Sequence, residues 1–250
     1  MSTRGVMGRV DHPGELLLPV LLALLAAVGW LAEPLLLAGA IAGQLALGGL
    51  GAVYLLGPAR PGLGFARYAT PAVAAVAATL FGRLLPGGVS LLLVPVAAAV
   101  IWAVVHVELR TVRASGSRTT LDLLLTAVLF AAAAGIDELL AESGWPPPIV
   151  PTGFIVGALA LRQAEARGRT GAEAIGQALL HTLGVIQVAL AVELLDLPEP
   201  VGAAIAALAF YAWGGAADSL EQGARGRAVA VEFGSLAALG MAVAVLLHGS

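Results

Sequence analysis

The chain has 250 residues, of which 59% are hydrophobic and 12% charged, and its formal net charge is −3. A soluble domain is about half apolar and about a quarter charged, so this composition leaves too little polar surface to face water. Cysteine and lysine are both missing from the sequence, which excludes disulfides, thiolate metal sites, lysine Schiff bases and the lysine-containing phosphate loop.

Long apolar runs, rich in Leu, Ala, Val and Gly, follow one another along the whole chain. In chain order they cover 16–32, 35–56, 69–86, 89–108, 120–141, 149–163, 173–194, 199–216 and 229–247. A membrane-crossing helix needs roughly 20 residues, and continuous runs are unlike the alternating strands of a membrane barrel. We therefore predict an all-α, polytopic bundle of nine transmembrane helices, with residues 1–250 forming a single integral membrane domain and no soluble domain.

The positions of the thirteen arginines predict the orientation of this bundle. Basic residues are retained on the cytoplasmic side of a membrane. If the N-terminus is cytoplasmic, twelve of the thirteen fall on the inner side and only Arg83 falls on the outer side. The inner group contains Arg4, Arg9, Arg60, Arg67, Arg110, Arg113, Arg118, Arg162, Arg167, Arg169, Arg225 and Arg227. This alternation without a skip predicts nine crossings, with the C-terminus outside.

Two alternatives stay open at this point. Residues 1–32 have a basic start and an apolar stretch, as a cleaved signal does, although Asp11 and Glu15 fit that pattern poorly. The run 149–163 is short and contains Pro151, so it fits either a tilted crossing or a re-entrant segment. The regular alternation of arginines favours a crossing.

Two pairs of glycines have the spacing that lets helices approach closely in a membrane. They are Gly39 with Gly43 in the second run, and Gly153 with Gly157 in the sixth. Small residues at this spacing favour close contact between helix backbones. We expect contacts within one chain, and a dimer face or a moving helix is the alternative.

The seventh run carries the polar residues that most favour a site. Glu173, Gln177 and His181 are four residues apart, so they lie close to one face of a helix. Such a face would bring a carboxylate, an amide and an imidazole from the inner surface towards the middle of the membrane, as a path for protons or polar solutes requires. The alternative is a neutral His181 that bonds to a neighbouring helix.

Further candidates lie in other runs. Gln44 and Gln187 are amides deep in the second and seventh runs, where each can bind a solute or bond to another helix. Asp137, Glu138 and Glu193 fall at outer ends. They would form a cation-attracting cluster if the fifth and seventh helices adjoin, and Arg83 would neutralise one of them. The sequence predicts no metal site and no cofactor.

Acidic residues beside the inner connections are expected to form local ion pairs. Glu108 and Asp122 flank the connection that carries Arg110, Arg113 and Arg118. Asp218, Glu221 and Glu232 flank the connection that carries Arg225 and Arg227. Sequence separation alone favours pairing within each connection.

The sequence does not specify a chemistry, and three functions fit it. The first is a small-solute or ion-coupled permease of a bacterial inner membrane, with a polar path through the second, fifth and seventh helices. The second is a non-catalytic membrane-embedded subunit or scaffold. The third is an intramembrane lipid-modifying enzyme, which we favour least because neither G-x-S-x-G nor H-E-x-x-H occurs. The expected partners are the lipid bilayer and a second copy or another membrane protein, and no nucleic acid.

Overall fold

Helices make up nearly all of the described part of the chain in this computed structural model. The described residues are 14–57, 64–86, 89–112, 117–141, 147–195 and 199–248. The helices are α1 Gly14–Leu31, α2 Pro34–Leu56, α3 Thr70–Gly82, α4 Val94–Val112, α5 Arg118–Ala141, α6 Ile149–Ala166, α7 Gly171–Leu194, α8 Glu199–Glu221 and α9 Gly226–His248, with short 3₁₀ turns at Ala66–Tyr68 and Ser90–Leu93. Within those ranges there is no strand, so the predicted all-α class is confirmed.

Each of the nine predicted apolar runs overlaps one of the nine described helices. Six of these, α1, α2, α4, α5, α7 and α8, are long and apolar enough to cross a membrane. The third run, predicted as 69–86, forms a helix of only 13 residues. Several residues used for the orientation, such as Arg4, Arg60 and Arg113, lie outside the described residues, as do residues 1–13 of the suggested signal segment.

The helices pack as two groups that share α3 and α4. One apolar core lies among α1–α4 and includes Leu22, Ala26 and Ile101. The other joins α3 and α4 to α5–α8 and includes Leu125, Leu129 and Phe210. In the described structure, α9 packs mainly against α8.

α3 is the most enclosed helix of the bundle. It contacts α1, α2, α4, α5 and α6, and alanines fill much of its buried surface. Close approach depends on a glycine of α2, because a Cβ atom built on Gly48 would lie 2.7 Å from the Cα of Ala72. Small side chains therefore allow several helices to surround α3 at short distance.

The glycine pair of α6 is used inside the chain. A Cβ atom on Gly153 would lie 2.9 Å from the side chain of Ile186, and one on Gly157 would lie 3.6 Å from the hydroxyl of Thr182. Both glycines therefore face α7. Gly39 has open space around it, so the pair on α2 is not used in the same way.

Candidate functional site

The predicted polar face of α7 turns from the surface into the bundle. Glu173 is exposed and its carboxylate lies 3.5 Å from the guanidinium of Arg169. Gln177 is half-buried, and its carbonyl oxygen has no hydrogen-bond partner among the described residues. His181 is only 4% exposed. A step of four residues turns a helix by about 40° beyond a full turn, so two steps rotate the stripe by about 80°, from an exposed position to a buried one.

His181 is packed tightly between α7 and α8. Its Nε2 atom lies 3.0 Å from the carbonyl oxygen of Phe210. Because a carbonyl oxygen can only accept, Nε2 carries the hydrogen and donates it. The imidazole also stacks on the rings of Phe210 and Trp213, at centroid distances of 4.5 and 6.1 Å. This is the environment expected of a neutral histidine that joins two helices.

The two predicted amides have opposite surroundings. Gln44 is 0% exposed, and its Nε2 donates to the hydroxyl of Thr79 at 2.7 Å and to the carbonyl of Leu22 at 3.4 Å. It thereby joins α1, α2 and α3. Gln187 is exposed on the outward face of α7. The structure therefore does not bring Gln44, Gln187 and His181 together.

The predicted outer acidic cluster depends on contact between α5 and α7. In the structure α7 packs mainly on α6 and α8, and α5 packs mainly on α3, α6 and α8. Asp137 is half-buried, whereas Glu138 and Glu193 are exposed. Across the described ranges, no group of three or more His, Cys, Asp or Glu side chains is arranged to hold a metal ion. The cluster stays a prediction without support from helix packing.

Arg83 has a different contact from the predicted ion pair. Its Nη1 atom donates to the carbonyl oxygens of Gly29 and Ala32, at 2.8 and 2.9 Å. The last carbonyls of a helix have no partner within the helix and favour a cation. Arg83 therefore caps the end of α1.

Sequence reasoning missed a cluster of charged and polar side chains at the C-terminal end of α6. We call Arg162, Gln163, Glu165 and Arg167, with their partners, the α6 polar cluster. Arg162 donates from Nε and Nη2 to the two carboxylate oxygens of Glu108 on α4, at 2.8 and 2.6 Å. Glu108 is 0% exposed, so this two-pronged ion pair is fully enclosed.

A second part of the α6 polar cluster joins α5 and α8. Gln163 donates to Asp122 at 2.8 Å. Arg167 contacts Asp122 at 3.3 Å and Asp218 at 2.9 Å, so two carboxylates share one guanidinium. Beyond it, Arg169 pairs with Glu221. The predicted pairing within each connection is therefore wrong for the hydrogen-bonded ion pairs of Glu108, Asp122 and Asp218, because all three bind α6 or the turn that follows it.

The third part of the α6 polar cluster holds the chain before α3. The carboxylate of Glu165 accepts hydrogen bonds from the backbone amides of Phe65 and Ala66, both at 2.9 Å. The guanidinium of Arg67 lies over the ring of Tyr68, 4.6 Å from its centroid. Glu165 thus satisfies the free amides at the start of the 3₁₀ turn Ala66–Tyr68.

A signal for this cluster is present in the sequence. Polar residues at 162, 163, 165 and 167 point in several directions around a helix, because successive residues are about 100° apart. This helix end directly follows an apolar run and carries polar residues on every side. Such an end needs polar partners from neighbouring parts of the protein on every side. The partners themselves lie more than 40 residues away in sequence, and spacing does not identify them.

Two apolar grooves lie beside α6. One, of about 640 Å³, runs between α6 and α7, and the other, of about 460 Å³, is bounded by α2, α3, α5 and α6. Phe154 and Ala158 line both grooves. Their walls offer surfaces for apolar chains and few polar atoms for chemistry.

Comparison of the chain with protein-family models, curated proteins and solved structures finds no match.

Proposed function

We propose that this protein is a non-catalytic, membrane-embedded subunit or scaffold in a bacterial inner membrane. The observation that carries the proposal is the use of deep polar side chains: Gln44 and His181 are enclosed and bonded to neighbouring helices. A pathway needs such groups to face water. Here they join helices.

The proposed topology has nine crossings, a cytoplasmic N-terminus and an external C-terminus. Its main support is the alternation of arginine-bearing connections. Contacts between α4 and α6 agree with it, because Arg162 bonds to both Glu108 and Thr111. The end of α4 and the end of α6 are therefore at the same end of the bundle, as the alternation requires.

Rigidity also supports a scaffold. The α6 polar cluster ties α6 to α4, α5, α8 and the 3₁₀ turn before α3 through ion pairs and hydrogen bonds, although the carbonyl oxygen of Gln163 has no partner among the described residues. A polar network that joins several helices stabilises one arrangement of them. Transport by alternating access requires helix groups that move against each other.

Water access distinguishes a scaffold from a permease. Because the chain has no cysteine, single thiols can be introduced at Glu173, Gln177 and Val185 in native membranes. Val185 lies one turn beyond His181 and is 1% exposed. Its replacement by cysteine leaves Glu173, Gln177 and His181 unchanged. A water-soluble thiol reagent should modify Glu173→Cys readily, Gln177→Cys slowly and Val185→Cys hardly at all. Rapid modification at all three positions would show a water-filled path and would reject the scaffold.

An ion-coupled permease is the second candidate, and the Glu108–Arg162 pair favours it. Ionisable residues inside a membrane often mark ion pathways, and this pair is enclosed between α4 and α6. Purified protein in liposomes should show no proton or sodium flux if the scaffold proposal is correct. A flux in the wild type that is lost in the double variant Arg162→Leu, Glu108→Leu, which leaves no buried charge, would establish the permease instead.

A lipid-modifying enzyme has the weakest support. That hypothesis requires two carboxylates, or a carboxylate and His181, beside a cleft open to lipid. The two grooves beside α6 have apolar walls, and His181 bonds to a backbone carbonyl.

A further inference from the structure

The outward face of α7 has a regular pattern that its packing inside the chain does not use. Positions alternately three and four residues apart lie along this face: Glu173, Gly176, Leu180, Leu183, Gln187, Leu190 and Leu194. All seven residues are exposed. The inward face is a separate set that includes Ala174, Ala178, His181 and Val185, and it packs against α6 and α8.

Positions at alternate spacings of three and four lie on one face of any α-helix. Over seven positions they give an average repeat of about 3.5 residues, which also fits the seam between two supercoiled helices. Leucines at four of the seven positions supply large side chains for packing. We call these seven residues the α7 seam.

Gln187 is the residue that indicates a protein partner at the α7 seam. The seventh predicted run covers 173–194, so Gln187 lies about 5 Å along the helix from its midpoint at 1.5 Å per residue. Its amide is exposed and forms no hydrogen bond to any residue that the structure describes. A free amide in hydrocarbon is costly, and glutamine in a membrane commonly bonds across to another helix.

A second copy of the chain fits the geometry that such a partner needs. Copies inserted by the same rule share one orientation, so an α7–α7 contact about a two-fold axis along the membrane normal is parallel. Each residue of the α7 seam then meets itself at the same depth. An amide both donates and accepts, so Gln187 is complementary to Gln187 of another copy. A polar residue at one seam position also sets the register.

The ends of the α7 seam are compatible with this arrangement. Gly176 has open space around it, so the helices can approach closely near the first turns of α7. The like charges of two Glu173 side chains are reduced by Arg169 within each chain. Leu183 and Leu190, which are 56% and 44% exposed, flank Gln187 with apolar layers.

We propose that two copies of this chain dimerise through the α7 seam, with the two Gln187 amides hydrogen-bonded to each other inside the membrane. This inference goes beyond the proposed function and is independent of it, because a scaffold, a permease or an enzyme can be a dimer.

Disulfide cross-linking in native membranes tests the interface by position. Single cysteines at Leu183 and Leu190 lie on the α7 seam, whereas Ile175 on the same helix is 47% exposed and Leu45 on α2 is 51% exposed, both off the seam. Mild oxidation should give dimers at Leu183→Cys and Leu190→Cys and little at Ile175→Cys or Leu45→Cys. Equal cross-linking at all four positions, or none at the seam, would overturn the proposal. So would seam adducts that contain only a different protein.

The role of Gln187 needs an equilibrium measurement. Energy transfer between donor- and acceptor-labelled full-length chains in vesicles, at increasing protein-to-lipid ratio, gives the dimerisation constant. Gln187→Leu should weaken dimerisation roughly three- to thirty-fold, as expected for one interhelical amide bond. Gln187→Asn, which keeps the amide, should recover most of this loss. An unchanged constant in Gln187→Leu would reject the amide pair as the specifying contact.

Discussion

A glutamine side chain has opposite surroundings in the interior of the bundle and on the outward face of α7. Inside, Gln44 is enclosed and bonds to Thr79, and Glu108 bonds to Arg162. Outside, Gln187 is exposed on a helix that is long and apolar enough to cross a membrane. The difference shows that helix packing within one chain satisfies Gln44 and Glu108, whereas no described residue of the chain bonds to Gln187.

The largest effect is expected from breaking the most enclosed interior contact. Arg162→Leu leaves the carboxylate of Glu108 buried without its cation, which should lower the free energy of unfolding by about 3–5 kcal/mol. Equilibrium unfolding in mixed detergent micelles measures this loss of stability. Arg162→Leu combined with Glu108→Leu should recover much of the loss, since no buried charge remains. A stable single variant would show that this pair is not enclosed.

A matched pair of neighbouring glycines on α2 compares inside with outside directly. Gly48→Ala places a methyl group 2.7 Å from the Cα of Ala72, whereas Gly49→Ala meets nothing within 4 Å. The first should destabilise the protein by about 1–3 kcal/mol through overpacking. The second should be neutral or slightly stabilising, because alanine favours a helix more than glycine does. The same unfolding measurement applies, and equal effects would contradict the close approach of α2 and α3.

The interior amide should have a smaller effect. Gln44→Leu removes a hydrogen bond between α2 and α3, and interhelical hydrogen bonds in membranes contribute about 0.6–1.7 kcal/mol. Thr79→Val should cost a similar amount. If the two residues act as one pair, the double variant should lose less than the sum of the two single losses. Simple additivity would show that they act separately.

The smallest effect on the isolated chain is expected at the outward amide. Gln187→Leu should change the free energy of unfolding of a dilute, monomeric sample by less than about 0.5 kcal/mol, as exposed substitutions usually do. The same variant weakens dimerisation if the α7 seam is correct. A loss well above 1 kcal/mol in monomer would place Gln187 inside the bundle.

Local sequence predicted the helices well because the signal for each is contained within it. The run 16–32 corresponds to Gly14–Leu31, and the run 173–194 to Gly171–Leu194. The third run was less accurate. The apolar residues of this run continue past Gly82, but α3 ends there. The chain turns after Gly82, and Arg83 caps α1.

The candidate site was harder to predict because it depends on which helices adjoin. Four-residue spacing placed Glu173 and His181 on one face, but drift around α7 separates an exposed carboxylate from an enclosed imidazole. Sequence predicts that Glu108 and Asp122 pair with arginines of the neighbouring connection, yet both accept hydrogen bonds from residues of α6. Sequence distance favours local pairs, and tertiary packing overrides it.

The shortness of α3 has a consequence for biosynthesis. Its 13 residues extend about 20 Å at 1.5 Å per residue, against a hydrocarbon thickness of about 30 Å. A helix this short inserts poorly into lipid by itself as it emerges from the ribosome. Its glycine- and alanine-lined contacts with α1 and α2 provide a prepared surface, because both of these helices are synthesised first. The order of elements along the chain thus gives this short helix its neighbours in advance.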